Sequence, residues 1–390
     1  MKIAGIKFAT TNCGIKYKNR DDLILAVFDD STNVAGLFTK SKIVSQTILW
    51  CKKAIKNGRA RALIVNAGNA NTFTGKAGVK IVKKTVTTIA KNLNCKKEDI
   101  FVSSTGVIGE VFDYKLITKK IPKLIQNLSD SEEAFTKAAH AIMTTDTKVK
   151  ISQTSYDDII IKGFAKGSGM IAPNMATMLA YIFTNAKIDK KLLLEIFKEI
   201  NEETFNSITV DSDCSTNDTA LIFATNKTKT EITQENSQKF KDNLKKIMLD
   251  LAKKIVLDGE GAKKIIAVKI IGAKNNKEAK IAAFSVANSP LVKSAIAASD
   301  PNWGRIMMAI GKSGSKISNK NISLKIGEFF VAKNGGLYEN YNEDEVHQYL
   351  KNNNEVKIEV DLGLHNQGSS IVYGCDLNEE YVSINKNYRT

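Results

Sequence analysis

The sequence predicts a mixed α/β or α+β protein of more than one domain, and three observations predict it. Strand-like and helix-like segments alternate along all 390 residues. That length, with 43% hydrophobic residues, supplies two or three domains' worth of core. No Pro/Ser-rich linker, internal repeat or low-complexity run breaks the alternation, so the domains are expected to pack tightly. Taken in order, Leu23–Phe28 and Ala62–Val65 are short apolar strand runs. Val79, Val82, Val86, Ile89 and Leu93 then recur at helical spacing, and Glu132–Met143 is a second helical run. Ile159–Phe164 is a strand and Leu192–Phe205 a helix. Phe240, Leu244, Ile247, Met248, Leu251 and Ile255 form another apolar stripe, with Lys and Asp opposite. Ile266–Ile271 and the alternating Val356, Ile358, Val360 and Leu362 are strands. Lys357–Asp361 and Ile371–Asp376 read as neighbours across the loop at His365–Gly368, which adds antiparallel character.

Composition excludes several classes of protein. With 25% charged residues, 7% aromatics and only 4 prolines, the chain is neither disordered nor collagen-like. Its net charge of +16 permits acidic partners. The lysines, however, are scattered over predicted helix faces and strand ends, so no nucleic-acid surface is expected. Five widely spaced cysteines (Cys13, Cys51, Cys95, Cys214, Cys375) without a CxxC pair, and 3 histidines, argue against disulfides and zinc; no metal or cofactor is expected. The start, MKIAGIKFATTNCGIKYKN, has no signal-peptide core. The most apolar window, Met170–Ala186, is broken by Pro173 and Asn174, so a cytoplasmic protein without a membrane partner is expected.

Few residues offer conventional catalysis. His140 falls in a helical run, His347 in an exposed acidic-polar stretch and His365 in a turn; each reads as ordinary. Gly311–Lys316 (GKSGSK) lacks the earlier glycine of a phosphate loop and reads as a turn. Asn66–Gly75 (NAGNANTFTG) reads as a loop with special backbone angles near some site. Ala165–Ala186 differs, because a Gly-rich, Pro-containing turn leads through Ala176–Thr177 into an apolar strand-like run. On composition alone Thr177 is a buried structural residue. If the peptide bond before it were cut, however, its own α-amine, of ordinary pKa about 7.7–8, would be a base within reach of its hydroxyl. No histidine would then be needed.

The stretch KGSGMIAPNMATML resembles the cleavage and nucleophile motif of the arginine-biosynthesis ornithine acetyltransferases, or glutamate N-acetyltransferases. Similar matches run the whole length: SSTGVIGE (Ser103–Glu110), IMTTDT (Ile142–Thr147), FNSITVDSDCSTNDT (Phe205–Thr219), DGEGAKK (Asp258–Lys264), DPNWGRI (Asp300–Ile306) and YVSINKNYRT (Tyr381–Thr390). The resemblance implies an ornithine acetyltransferase-like fold, two packed domains with β-sheets sandwiched between helices, and N-terminal-nucleophile chemistry. It implies self-cleavage between Ala176 and Thr177 into an α chain, 1–176, and a β chain, 177–390, which stay associated, two of each forming a heterotetramer with the active site between the chains. Thr177 would then carry an acetyl group from N-acetylornithine to glutamate. Thr105 and Gly106, in an STG loop, match the family's oxyanion hole. Lys166, Thr147, Glu260, Asn385 and Thr390, with Thr177, match its substrate-binding positions; Lys166 would meet a carboxylate and Glu260 an ammonium. No cofactor is implied, and members differ in whether acetyl-CoA also serves as donor.

The chain departs from the family's pattern at Val149, where Pro is common, and at Ser212 and Cys214, where Gly and Thr are usual. These changes spare the assigned residues and bear on local geometry. Two other readings make different predictions. A related self-cleaving amidase would share Thr177 and the oxyanion hole but have little reason to keep Lys166, Glu260 and the tail. A basic binding protein would bind nucleic acid in a salt-dependent way and remain uncut.

Overall fold

The structure is a computed structural model, and it describes residues 1–172 and 178–386. These form two compact units, residues 1–206 with 213–255, and residues 207–212 with 256–386.

The first unit holds two main sheets. One has the order β1 (Ile6–Thr11), β2 (Leu23–Phe28), β4 (Ala62–Asn69), β5 (Ile100–Val107); the other has the order β3 (Asn33–Phe38), β10 (Thr219–Ala224), β8 (Leu179–Thr184), β7 (Ile159–Lys166), β6 (Lys150–Tyr156). A small pair, β9 (Lys187–Ile188) and β11 (Glu231–Ile232), completes it. The side-chain period of 2 explains how these strands are buried on both faces. Tyr181 and Phe183 of β8, Leu221 and Phe223 of β10 and Phe164 of β7 meet Phe8, Phe28, Leu63, Val65 and Phe101 of the other sheet, giving an aromatic-rich core. On the outer side of the first sheet, Leu25, Ile64 and Val102 pack against α2 (Gly75–Leu93), α3 (Lys115–Thr118) and α4 (Ile121–Gln126). Over the second sheet lie α6 (Lys190–Glu203), beside β3, and α7 (Gln238–Leu257), whose Leu251 reaches Gly163 on β7. Helices α1 (Gln46–Ala54) and α5 (Glu132–Ala141) close the core edges; Ser45 and Ser131 cap them by accepting the amides of Ile48 and Ala134. The expected layering of sheets between helices is therefore present.

The second unit is one six-stranded sheet in the order β15 (Gly336–Leu337), β14 (Phe329–Lys333), β13 (Ser323–Ile326), β16 (Glu355–Asp361), β12 (Ile265–Ala273), β17 (Gly368–Cys375). Its apolar face packs on α8 (Asn276–Ala287), α9 (Pro290–Ala297), α10 (Trp303–Gly311) and α11 (Glu343–Asn352), and α12 (Glu379–Lys386) follows the last strand. This corrects one expectation: β16 and β17 are not neighbours, because β12 lies between them, parallel to β16 and antiparallel to β17. The connecting loop passes across the end of β12, where Leu362 N–H donates to Ile271 O. Alternation in a buried strand reports which face is covered, not which strand is next to it.

The proposed cut between Ala176 and Thr177 does not divide the compact units. β7 precedes it and β8 follows it, yet they pair antiparallel in one sheet, Lys166 opposite Leu179. Ala176, Thr177 and Thr390 lie outside the described residues. Among described residues, no helix is long and apolar enough to cross a membrane and no group of three or more His, Cys, Asp or Glu is placed to hold a metal.

Candidate active site

Several of the motif residues converge at the ends of β4, β5 and β7. Thr105 and Gly106, expected in a loop, are instead the last turn of pleat in β5. Asn66 to Asn69 of the glycine-rich run likewise belong to β4, and only the remainder is the irregular loop expected, with Asn71 and Phe73 at positive φ. Gly106 is required by its environment: its φ is +130°, and a Cβ there would lie 2.3 Å from the Gly68 carbonyl carbon and 2.5 Å from the Asn69 nitrogen. β4 and β5 shift register at this point, which brings the two backbones together.

Lys166 ends β7, and its Nζ donates to Thr105 Oγ1 at 3.2 Å. With Oγ1 accepting from an ammonium, the hydroxyl hydrogen of Thr105 remains to be donated, and the positive charge polarises it. A hydroxyl so placed at a strand end can bind developing negative charge on oxygen. Thr105 is buried, at 8% exposure, so water competes little for that hydrogen.

Beneath Lys166 lies a buried carboxylate that residue types alone had not singled out. Asp146 Oδ1 accepts from Lys150 Nζ at 2.7 Å and from Gly167 N–H at 2.6 Å, and Oδ2 accepts from Thr144 N–H at 3.0 Å. Thr145 and Ser168 hydroxyls, 2.6 Å apart, fasten the same two segments a second time. The turn that carries exposed Thr147 is thus tied to the strand end that carries Lys166. Burial opposes the Asp146 charge, but the ammonium groups of Lys166 and Lys150 and the hydrogen bonds outweigh it and hold the carboxyl at about 2. Asp218 is the opposite case: burial raises it well above the carboxylate range, against hydrogen bonds from Ser215 and Thr39 and the charge of Lys166. The signs differ accordingly. Stability from Asp146 is present above the ordinary carboxylate pKa and lost as pH falls towards about 2; stability from Asp218 is present at low pH and lost as pH rises. Between pH 4 and 2 the wild type is expected to lose roughly 2 kcal/mol more stability than an Asp146→Asn/Lys150→Met double variant, which removes the pair without stranding a charge; urea unfolding at stepped pH measures this.

In the second unit, Glu260 and Asn385 come together: Asn385 Nδ2 donates to Glu260 Oε2 at 2.7 Å and to Tyr381 O at 3.0 Å. Gly261 has φ +76°, and its carbonyl accepts from Asn378 Nδ2 at 2.6 Å, so the turn after Glu260 is sewn to the start of α12. The structure thus joins Thr105, Gly106 and Lys166 in the first unit and Glu260 with Asn385 in the second. His347, expected in an exposed stretch, lies on α11 with Nδ1 2.9 Å from Ser299 O, while His140 is exposed on α5 and His365 is in the irregular loop between β16 and β17 at positive φ. All five cysteines are free.

The sequence profile of the ArgJ family matches residues 7–390. The arginine biosynthesis bifunctional protein ArgJ of Bartonella henselae is 43% identical over 396 aligned residues, covering 100% of this chain and 96% of the relative. That of Mesorhizobium japonicum is 44% identical over 401, with the same coverage. A crystal structure of the arginine biosynthesis bifunctional protein ArgJ of Bacillus halodurans superposes with TM-score 0.53 and 41% identity, over 54% of this chain and 100% of that one. The protein is an acyltransferase of arginine biosynthesis, as its motifs led us to expect. It belongs to the ArgJ family, and the amidase alternative is not favoured.

Proposed function

We propose that the chain cuts itself between Ala176 and Thr177 and then moves an acetyl group from N-acetylornithine to glutamate through acetyl-Thr177. The observation that carries this is the Lys166–Thr105 pair, a polarised hydroxyl at the end of β5 in a member of the ArgJ family. The described residue after Thr177 supports it: Met178 O accepts from Thr219 N–H at 2.9 Å, and Leu179 pairs with Lys166. A length relation supports the cut as well. Residues 177–390 are 214 of 390, about 55%, and the Bacillus halodurans chain, matched over all its length, accounts for 54%.

In maturation, Thr177 Oγ attacks the Ala176 carbonyl, the C–N bond breaks as the ester forms and the α-amine of Thr177 leaves with the hydroxyl proton, and water then hydrolyses the ester to the Ala176 carboxylate and the free Thr177 hydroxyl. In turnover, that amine takes the hydroxyl proton while Oγ attacks the acetyl carbonyl of N-acetylornithine. The Thr105 hydroxyl and Gly106 N–H hold the oxyanion, and ornithine leaves with the returned proton. Glutamate's amine then attacks the acetyl ester and carries the acetyl group away. Lys166 meets a substrate carboxylate and Glu260 an ammonium, with Thr147, Asn385 and Thr390 completing the recognition. Acetyl-CoA as a second donor, no cofactor, a cytoplasmic setting, and two α with two β chains complete the proposal.

The test is an assay of acetyl transfer from N-acetylornithine to glutamate, and then from acetyl-CoA, with Lys166→Met beside the wild type. Losing a charge-assisted hydrogen bond worth about 1.5–3 kcal/mol should raise KM by about 10- to 100-fold, with partial recovery in Lys166→Arg. An unchanged KM would remove Lys166 from substrate binding, and no transfer by the cleaved wild type would sink the reading as a whole.

A further inference from the structure

Asn217 is 6% exposed, and the loop after β4, strand β5 and the segment before β10 meet at its side chain. Its Nδ2 donates to Ala70 O at 2.6 Å and to Ser104 O at 2.8 Å. Its Oδ1 accepts from the Thr72 hydroxyl at 2.7 Å and the Thr216 hydroxyl at 2.6 Å. The amide orientation follows from chemistry, because two carbonyls can face only an NH₂. All four hydrogen-bonding positions of the amide are used, and they bind the loop after β4, the end of β5 and the segment entering β10.

Two residues further on, Thr219 N–H donates to Met178 O, and Thr219 pairs with Leu179. Asn217 to Thr219 is therefore a strut of two residues, roughly 7 Å of extended chain. At one end it grips Ser104, immediately before Thr105; at the other it grips Met178, immediately after Thr177. The residues between the grips have no freedom to stretch, so the strut sets the separation between the end of the oxyanion strand and the start of the strand that follows the nucleophile. Asp218, between them, is itself 2% exposed, and its carbonyl accepts from Thr39 N–H at 3.0 Å.

We propose that Asn217 is a positioning residue for acyl transfer, a clamp that fixes the Thr105 hydroxyl relative to the residue following Thr177. This rests on the function proposed above. The clamp acts where charge develops on oxygen, so its loss should fall on kcat and not on KM. Asn217→Asp keeps the shape. As a carboxylate it gives Ala70 O and Ser104 O no donor; once protonated it restores one.

The test uses the full-length matured enzyme. For Asn217→Asp at pH 8, kcat is expected at least tenfold below wild type with KM for N-acetylornithine within about twofold. The ratio of variant to wild-type kcat should then rise as pH is lowered to 6, where a purely structural defect would leave it flat. Should that variant fail to fold, Thr72→Val, which deletes one donor to Oδ1, is expected to lower kcat by a few fold at constant KM, and Thr72→Ser to restore it. A wild-type kcat in folded Asn217→Asp, or a loss residing in KM, would overturn the clamp. Absence of acetyl transfer by the wild type would instead overturn the functional reading, so the two failures are distinguishable.

Discussion

Thr177→Ala is expected to give a single uncut chain with no measurable acetyl transfer, whereas the wild type gives two chains whose masses sum to the precursor plus one water. With 3 histidines in the chain, and none among the converged residues of either unit, a hydroxyl nucleophile needs another base. Cleavage itself creates an amine base on the nucleophile's own residue, that of Thr177. Removing Oγ abolishes both the cut and the nucleophile, so the loss should exceed about a thousandfold. Thr177→Ser retains a hydroxyl and should still be cut, if slowly. Intact-mass spectra under denaturing conditions, beside the acetyl-transfer assay, decide the matter; an active Thr177→Ala enzyme, or a wild type that stays whole, contradicts the nucleophile assignment.

The second large effect is expected from Gly106→Ala. The neighbours that a new methyl would strike are backbone atoms of Gly68 and Asn69, which cannot rotate away as a side chain could. Strands β4 and β5 must separate, or Gly106 must leave its φ of +130°. Overpacking and backbone strain together should remove about 2–4 kcal/mol of stability. Displacing Thr105 and the Gly106 N–H from the oxyanion should lower kcat by about 10²- to 10³-fold. Gly314→Ala is the control, for Gly314 has φ +78° and nothing within 4 Å of a built Cβ. It carries backbone strain without collision and should leave kcat unchanged. Thermal melts and steady-state kinetics on the three proteins separate the contributions, and a Gly106→Ala enzyme with wild-type kcat would remove this strand end from catalysis.

The large elements of the fold were legible because their periodicities are long and clean. Leu23–Phe28 is β2 to the residue, and the apolar stripes from Val79 and from Phe240 are α2 and α7. The stretch Ala165–Ala186 and the SSTGVIGE motif likewise singled out Lys166 and Thr105, which meet, but the place of Thr105 at a strand end and not in a loop was not legible. Pairing was less legible. Nothing in Val356–Leu362 tells that Ile266–Ile271, some 90 residues earlier, lies against it while the adjacent Ile371–Asp376 does not.

What the sequence by itself determined was the class of protein, because motifs spread along the whole chain resemble one acyltransferase family, and the amine-activated Thr177 is what that resemblance implies. Only the tertiary structure decided which polar residues support it. Asp146 and Asn217 look alike in sequence, each an uncommitted polar residue in a threonine-rich run. Burial separates them from solvated neighbours, because a carboxylate or amide removed from water must find all its partners within the fold. Those partners, Gly167 for one and Ser104 for the other, lie 21 and 113 residues away, a proximity that chain folding alone creates.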